Sequence, residues 1–289
     1  MFKRFFSLVS ILFLLQANYL FSQDVPLPDS PVPVPGFTPQ FLHGQSVPPI
    51  FFTLNQGIPE KVLKARDESV VAIRVGFPVI RADQGLSEDA WYGAGFTVWE
   101  NYVVTNLHLF GNQPGLWYGT KEFPTRPQVF DGSAFFNAQL VFYDYTSDLA
   151  FLKVETPNAS GENFSKKPVK LLKMNTTEKD GLELLGSYEN FYAFAPYVSS
   201  PNLFFTLQLG PFRSITNSID GGYFLSMPVG IIEGNVQPGF SGGPLFSPNG
   251  EVAGVVTRTS TIFTFVILAE TIHNFFMTSA AHLGLDVIK

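Results

Sequence analysis

Residues 239–244 read Gly-Phe-Ser-Gly-Gly-Pro, and this stretch is the one most informative about the fold of the chain. Residues 235–238, Asn-Val-Gln-Pro, precede this stretch, and a strand pattern follows it at residues 251–257. Glycines beside Ser241 let the backbone turn tightly and leave N–H groups pointing outward. Two interpretations fit these residues: a Gly- and Pro-rich hairpin loop with a surface serine, or the turn of a nucleophile. A nucleophile would need a base and oxyanion donors, which other stretches must supply.

The composition is that of a folded domain without cysteine chemistry. With 45% hydrophobic and 15% charged residues among 289, the chain is globular and long enough for one large or two small domains. Its net charge of −6, with no basic run after the first few residues, argues against nucleic acid as a partner. The absence of cysteine excludes disulfides, thiolate metal sites and a cysteine nucleophile.

The first 57 residues carry targeting and linker patterns. Residues 1–22 combine a short positive start with an apolar run and a small residue near the expected cut, which predicts a signal peptide. An uncleaved anchor is the alternative, but the apolar run is shorter than the ~20 residues of a spanning helix. We therefore expect cleavage and no membrane span afterwards. Export without cysteine favours a bacterial envelope, so the expected location is periplasmic or secreted. Residues 23–57 are proline-rich and predict an extended arm.

Residues 58–289 show an all-β pattern that ends in a helix. Short runs of β-branched and aromatic residues alternate with Gly, Pro, Asn and Asp, which predicts a sandwich or a barrel. A short helix is expected near residues 58–66, a last strand over residues 262–268 and a terminal helix over residues 269–283. The expected apolar face of the terminal helix contains Ile272, Phe275, Phe276 and Leu283.

Two further stretches offer the partners that Ser241 would need. Residues 104–108, Val-Thr-Asn-Leu-His, end a predicted strand at His108, and imidazole is the side chain best suited to moving protons near neutral pH. Alone, such a histidine is more often structural. Residues 144–153, Asp-Tyr-Thr-Ser-Asp-Leu-Ala-Phe-Leu-Lys, place Asp148 before a buried strand, where aspartate is commonly a turn residue. Asp148 becomes catalytic only if it holds an imidazole in the useful tautomer.

Together, these stretches resemble the HtrA-like branch of the trypsin-type serine proteases over roughly residues 58–280. They follow one another in the order His, Asp, Ser, as in chymotrypsin-type enzymes. The resemblance implies an all-β fold of two packed six-stranded β-barrels with a cleft between them, followed by the C-terminal helix. It also implies hydrolysis of polypeptide substrates through an acyl-enzyme, without cofactor or metal. The expected protease domain spans residues 58–289, lacks a PDZ module, and would serve envelope protein quality control.

The resemblance assigns a role to each site residue. Ser241 is the nucleophile, His108 the general base and acid, and Asp148 the group that orients His108. The backbone N–H groups of Gly239 and Ser241 form the oxyanion hole. Asn235 lies at the base of the primary specificity pocket, where a neutral side chain gives no selection for Lys or Arg.

Further contacts follow from the same resemblance. The strand that pairs with the substrate backbone consists of Val256, Thr257, Arg258 and Thr259. The hydroxyl of Thr257 is expected to reach Asp148. Aromatic residues between positions 37 and 52 of the arm are candidates for building a homotrimer, as N-terminal aromatics do in this family.

Phe240 departs from the family pattern. It occupies a position where this family usually has Asn and trypsin has Asp, so activation by burying a new N-terminus against a carboxylate is unavailable. A bulky side chain there would also change the local turn and could mis-set the oxyanion hole. The sequence therefore leaves an alternative to the protease: a catalytically weak or inactive protease-fold protein with a binding or chaperone-like role. An esterase that uses the same three residues is a third reading.

Overall fold

The computed structural model describes residues 57–81, 85–110, 127–174, 179–196, 204–216, 228–260 and 262–287. The predicted signal peptide and all of the arm except residue 57 lie outside these ranges, so both stay predictions. Within the ranges, no helix has the length and apolar character needed to cross a membrane.

The first body is a closed six-stranded barrel. A helix, α1 (Glu60–Ser69), leads into it and begins two residues later than the sequence predicted, after Pro59. The strands pair in the order β1-β2-β3-β6-β5-β4, entirely antiparallel. They are β1 (Val70–Arg81), β2 (Gly85–Trp99), β3 (Tyr102–Asn106), β4 (Gln128–Phe130), β5 (Phe135–Asp144) and β6 (Leu149–Val154). Alternate residues in the first half of β5 are buried, which is the period that fills a barrel with apolar side chains.

The second body is a curled sheet of seven strands in the order β8-β7-β11-β12-β13-β10-β9. A short helix, α2 (Lys179–Gly186), precedes it. The strands are β7 (Phe191–Pro196), β8 (Phe204–Leu209), β9 (Phe212–Thr216), β10 (Val229–Glu233), β11 (Pro244–Phe246), β12 (Val252–Thr259) and β13 (Phe263–Leu268). The predicted chymotrypsin-like, all-β architecture is confirmed, although this body is a curled half-barrel of seven strands rather than a six-stranded barrel.

The C-terminal helix α3 (Ala269–Leu283) has the predicted bounds and ends at Gly284, whose φ of 66° suits a glycine C-cap. It packs back onto the first barrel, where Phe275 and Phe276 contact the ring of Phe151. The apolar core between the two bodies draws on both of them and on this helix. Its members include Val70, Phe96, Phe151, Phe194, Phe246, Val255 and Ile272. Fully burying each such side chain contributes about 1.5–3 kcal/mol, so the bodies are held in a fixed relation at their junction.

Candidate active site

His108 and Asp148 meet at one end of the first barrel. A single 3-10 turn (Leu107–Phe110) continues β3 and carries His108, while Asp148 directly precedes β6. Because β3 and β6 pair with Asn106 opposite Leu149, the two side chains emerge side by side. Nδ1 of His108 lies 2.7 Å from Oδ2 of Asp148, and the backbone N–H of His108 donates to Oδ1 at 2.8 Å. The carboxylate thus fixes both the position and the ring orientation of His108.

The backbone of Asp148 is tied to the same turn. Its carbonyl oxygen accepts the N–H of Leu107 at 2.9 Å and the side-chain amide of Asn106 at 3.1 Å. Its φ of 53° lies in the left-handed region, which aspartate tolerates better than most side chains. The preceding turn is stabilised by Asp144, whose carboxylate accepts the backbone N–H groups of Thr146 and Ser147. Asp144 is therefore a turn residue.

A third donor to the carboxylate of Asp148 comes from the second body. The hydroxyl of Thr257, on β12, donates to Oδ2 of Asp148 at 2.8 Å, and this contact was expected from the sequence. The register of β12 against β13 shifts between Val256 and Arg258, the kind of bulge that re-aims a side chain. Thr257 is 2% exposed, so the bond lies within the junction of the two bodies.

The turn that carries Ser241 is fastened to both bodies through its backbone. The carbonyl of Ser241 accepts the N–H of Ala94 on β2, and the N–H of Gly242 donates to Val256 on β12, each at 2.9 Å. Gly242 has a φ of +81°, and a Cβ there would lie 2.1 Å from Oγ1 of Thr105. Only glycine permits this close approach, and Thr105 lies on the strand that leads to His108. The Ser241 turn therefore packs directly against the end of β3.

Two backbone N–H groups in this turn are free to bind an oxyanion. Among the described residues, neither the N–H of Gly239 nor that of Ser241 has a hydrogen-bond acceptor. The carbonyl of Phe240 accepts the N–H of Gly243 at 2.9 Å. Because carbonyl and N–H point in opposite directions across a trans peptide, the N–H of Ser241 is directed away from that bond.

The structure does not join all the predicted catalytic residues by hydrogen bonds. His108, Asp148 and Thr257 are connected, whereas Oγ of Ser241 makes no hydrogen bond to any described residue. Catalytic hydrogen bonds to a serine are often long or misaligned until substrate binds. His108 keeps 28% of its side chain exposed, so its second nitrogen remains accessible.

The predicted substrate-binding residues lie beyond the Ser241 turn. Asn235 follows Gly234, whose carbonyl accepts the hydroxyl of Thr264 at 2.8 Å, so Asn235 is held close to β13. Strand β11 pairs with β12 only from Val252 to Val255, and residues 257–259 extend past it. Arg258 is half-buried and Thr259 is exposed at the end of this extension.

A sequence profile described as the trypsin-like peptidase domain matches residues 93–255, more than half of the chain. The chain belongs to the trypsin-like peptidase family. The match runs from the strand before His108, through Asp148, to the strand after Ser241. No curated protein matches the chain.

Solved structures place this trypsin-like peptidase among proteases of the same fold. The active form of the Rv3671c protease from M. tuberculosis is 22% identical, with 82% of this chain and 92% of that chain covered and a TM-score of 0.52. The HtrA-type protease AlgW with a decapeptide is 16% identical, with 77% and 67% covered and a TM-score of 0.56. Deg5 is 21% identical, with 74% and 91% covered and a TM-score of 0.52. The resemblance to HtrA-like, trypsin-type proteases is thereby confirmed at the level of the fold.

Two features of this peptidase's site were not expected from the sequence. The side-chain amide of Asn106 donates to the carbonyl of Asp148. Asn106 lies within the Val-Thr-Asn-Leu-His stretch, but the sequence alone assigned it no role. Phe240 does not project into the cleft: it is 4% exposed and belongs to the apolar core of the second body. No group of three His, Asp or Glu side chains within the described ranges is placed to hold a metal.

Proposed function

We propose that this protein is a periplasmic or secreted serine endopeptidase of a bacterial envelope, acting through Ser241, His108 and Asp148. The observation that carries the proposal is the shared carboxylate. Asp148 accepts hydrogen bonds from His108 in the first barrel and from Thr257 in the second body. A buried carboxylate in this position holds the imidazole in the tautomer whose other nitrogen is a base, and stabilises the imidazolium that forms.

The proposed reaction follows from these positions. Oγ of Ser241 attacks the scissile carbonyl carbon while Nε2 of His108 takes the serine proton. The N–H groups of Gly239 and Ser241 bind the oxyanion, and loss of one such donor typically lowers kcat by about 10²–10³. The C–N bond then breaks, His108 returns the proton to the leaving amine, and an acyl-enzyme remains. Water, deprotonated by His108, then attacks the ester carbon, the bond from that carbon to Oγ of Ser241 breaks, and His108 returns the proton to Oγ as the second product, a carboxylate, leaves.

The expected substrate is an extended polypeptide. The end of β12, from Thr257 to Thr259, extends past β11, so a peptide can add there as a further strand. Val256, which the resemblance also assigns to substrate binding, has its backbone N–H and carbonyl bonded to Gly243 and Gly242. Asn235 is uncharged and lies partly exposed beside β13, which favours medium-sized aliphatic or polar side chains at the cleavage site over Lys or Arg. Profiling a peptide library with the purified protein checks this preference, and a dominance of basic residues would contradict it.

A fluorophosphonate probe tests the proposed nucleophile. We expect the wild-type protein to be labelled and to degrade casein, because the probe needs an activated serine and an oxyanion hole. The Ser241→Ala variant should show neither, with unchanged circular dichroism. The three matched conditions are wild type, Ser241→Ala and heat-denatured wild type. Absence of label in the folded wild type would reject the peptidase.

A binding or chaperone-like protein is the second candidate function. The observation that favours it is that Oγ of Ser241 makes no hydrogen bond to His108 or to any other described residue. A binding protein would suppress aggregation of an unfolded client equally well with Ser241 or with alanine at that position. Light scattering of a heated client protein, recorded beside the labelling experiment, separates the two functions.

Envelope location and trimer formation are further parts of the proposal. Cell fractionation together with N-terminal sequencing of the mature protein tests export and cleavage after residue 22. Gel filtration of the full mature chain beside a chain that starts at Glu60 tests whether residues 23–57 build a trimer. Equal elution volumes, after correction for mass, would reject a role of the arm in assembly.

A further inference from the structure

Phe240 lies between the two oxyanion donors. Its ring is in the apolar core of the second body, whose members include Phe191, Leu209, Val236 and Val266. Its carbonyl accepts the N–H of Gly243, and the residues on either side of it supply the N–H groups without an acceptor in the described part of the chain. A single side chain is therefore anchored at the centre of the turn.

Backbone bonds hold the end of this turn more closely than its start. Gly239 has a φ of 100°, and glycine is the residue with the widest conformational freedom. The N–H of Phe240 donates to the carbonyl of Gln237 only at 3.4 Å, whereas the bonds of Ser241 and Gly242 to the neighbouring strands are 2.9 Å long. No side-chain hydrogen bond to the 239–241 segment comes from the described residues.

We propose that Phe240 is a positioning residue, whose buried ring fixes the oxyanion turn in its donating geometry before substrate arrives. The inference rests on the proposed function and deepens it. Moving Phe240 from its place between the two donors would pull the ring out of the core, and rotating the Phe240–Ser241 peptide would break the bond to Gly243. Apolar packing thus fixes a position at which the resemblance predicts Asn or Asp. The geometry depends neither on a charged partner nor on a newly cut N-terminus.

The decisive experiment compares two phenylalanines of the same core. Phe191, on β7, is fully buried in the same cluster as Phe240 and lies outside the catalytic machinery. Phe240→Ala and Phe191→Ala remove the same atoms from this core. We expect Phe240→Ala to lower kcat about 10²-fold, as for a lost oxyanion donor, with KM changed less than about threefold. Phe191→Ala should keep kcat within about threefold of wild type, even if its Tm falls as much as that of Phe240→Ala. Equal losses of kcat in the two variants would overturn the proposal.

Conservative variants keep the test valid if either alanine variant fails to fold. Phe240→Leu retains an apolar anchor and should keep kcat within about fivefold of wild type, since volume-conserving apolar changes are tolerated best. Phe240→Asn introduces the residue usual in the family and should lower kcat more than Phe240→Leu, because an amide has no hydrogen-bond partner in this core. A Phe240→Asn variant as active as wild type, or more active, would show that the ring obstructs the hole.

Amide hydrogen exchange separates this inference from the proposed function. In the full chain carrying Ser241→Ala, which cannot turn over, adding Phe240→Ala should increase exchange in the peptide covering residues 236–243 at least about tenfold. Adding Phe191→Ala should leave that peptide unchanged. If wild type is not labelled by fluorophosphonate but this difference in exchange is present, the positioning role of Phe240 is supported and the peptidase function is rejected. If labelling succeeds and exchange is the same in both double variants, the positioning role of Phe240 is rejected.

Discussion

The two halves of the site are held by different forces. In the first barrel, His108 and Asp148 are connected by directed polar bonds, with distances of 2.7 and 2.8 Å. In the second body, the Ser241 turn is held by backbone bonds to neighbouring strands and by the buried ring of Phe240. An imidazole needs a defined tautomer, which only a hydrogen-bond partner can specify. An oxyanion hole needs only that two N–H groups point the right way, and shape alone can specify that.

The largest expected effect comes from removing the carboxylate that orients His108 in the first barrel. Asp148→Asn keeps the shape of the carboxylate but favours the wrong imidazole tautomer, so we expect kcat to fall about 10⁴-fold with little change in KM. Steady-state kinetics on a peptide substrate, with folding checked by circular dichroism, measure the effect. The matched control is Asp131→Asn, an aspartate of the same barrel with several hydrogen bonds of its own, which should keep kcat within about threefold. A loss below tenfold in Asp148→Asn would remove Asp148 from the catalytic set.

A smaller effect is expected where the two halves meet. Thr257→Val preserves the side-chain volume and removes the donor to Asp148. Hydrogen bonds to charged groups contribute about 1.5–3 kcal/mol, so we expect kcat to fall at least about tenfold. Thr257→Ser keeps the hydroxyl and should stay near wild type in the same assay. If Thr257→Val and Thr257→Ser have equal kcat values, the contact does not support catalysis.

The smallest effect concerns a structural aspartate of the first barrel. The carboxylate of Asp131 accepts the backbone and hydroxyl groups of Ser133 and Ser165 at 2.6–3.1 Å. Burial by itself raises the pKa of Asp131, but the hydrogen bonds from Ser165 and Ser133 outweigh it and hold the pKa below its usual value. Because the folded pKa is below the unfolded one, the contribution to stability is complete above the unfolded value. It is lost as pH falls through the folded pKa.

Urea unfolding of wild type and Asp131→Asn at pH 7 and pH 3 measures this contribution. We expect the variant to be about 1–3 kcal/mol less stable at pH 7, since buried acceptors of hydrogen bonds are lost. The difference should shrink at pH 3, while activity at pH 7 stays near wild type. A difference of the same size at both pH values would show that ionisation of Asp131 plays no part.

Local sequence patterns predicted the all-β class, and the resemblance predicted the two packed bodies. The helix of residues 269–283 was found from its apolar period, His108 from its place after a strand pattern and Asp148 from its place before one. The resemblance implied six strands in the second body, whereas the structure has seven, with β9 (Phe212–Thr216) as a half-exposed edge strand.

The direction of a single aromatic ring could not be predicted. The sequence shows a phenylalanine in the turn of residues 239–244, but whether the ring enters the cleft or the core depends on which strands enclose it. Those strands are brought together from separate parts of the chain, as β7, β10 and β12 around Phe240 illustrate. No role could be predicted for Asn106, because its hydrogen-bond partner, the carbonyl of Asp148, lies 42 residues away in the sequence.

The bond from Thr257 to Asp148 spans 109 residues of sequence. A ribosome synthesises the first barrel in full while that threonine, and the serine before it, are still to be translated. In a chain that is still being synthesised or is partly unfolded, Asp148 consequently lacks the bond from Thr257, and His108 has no Ser241 beside it. The activity we propose therefore requires that both bodies have been synthesised and have docked against each other.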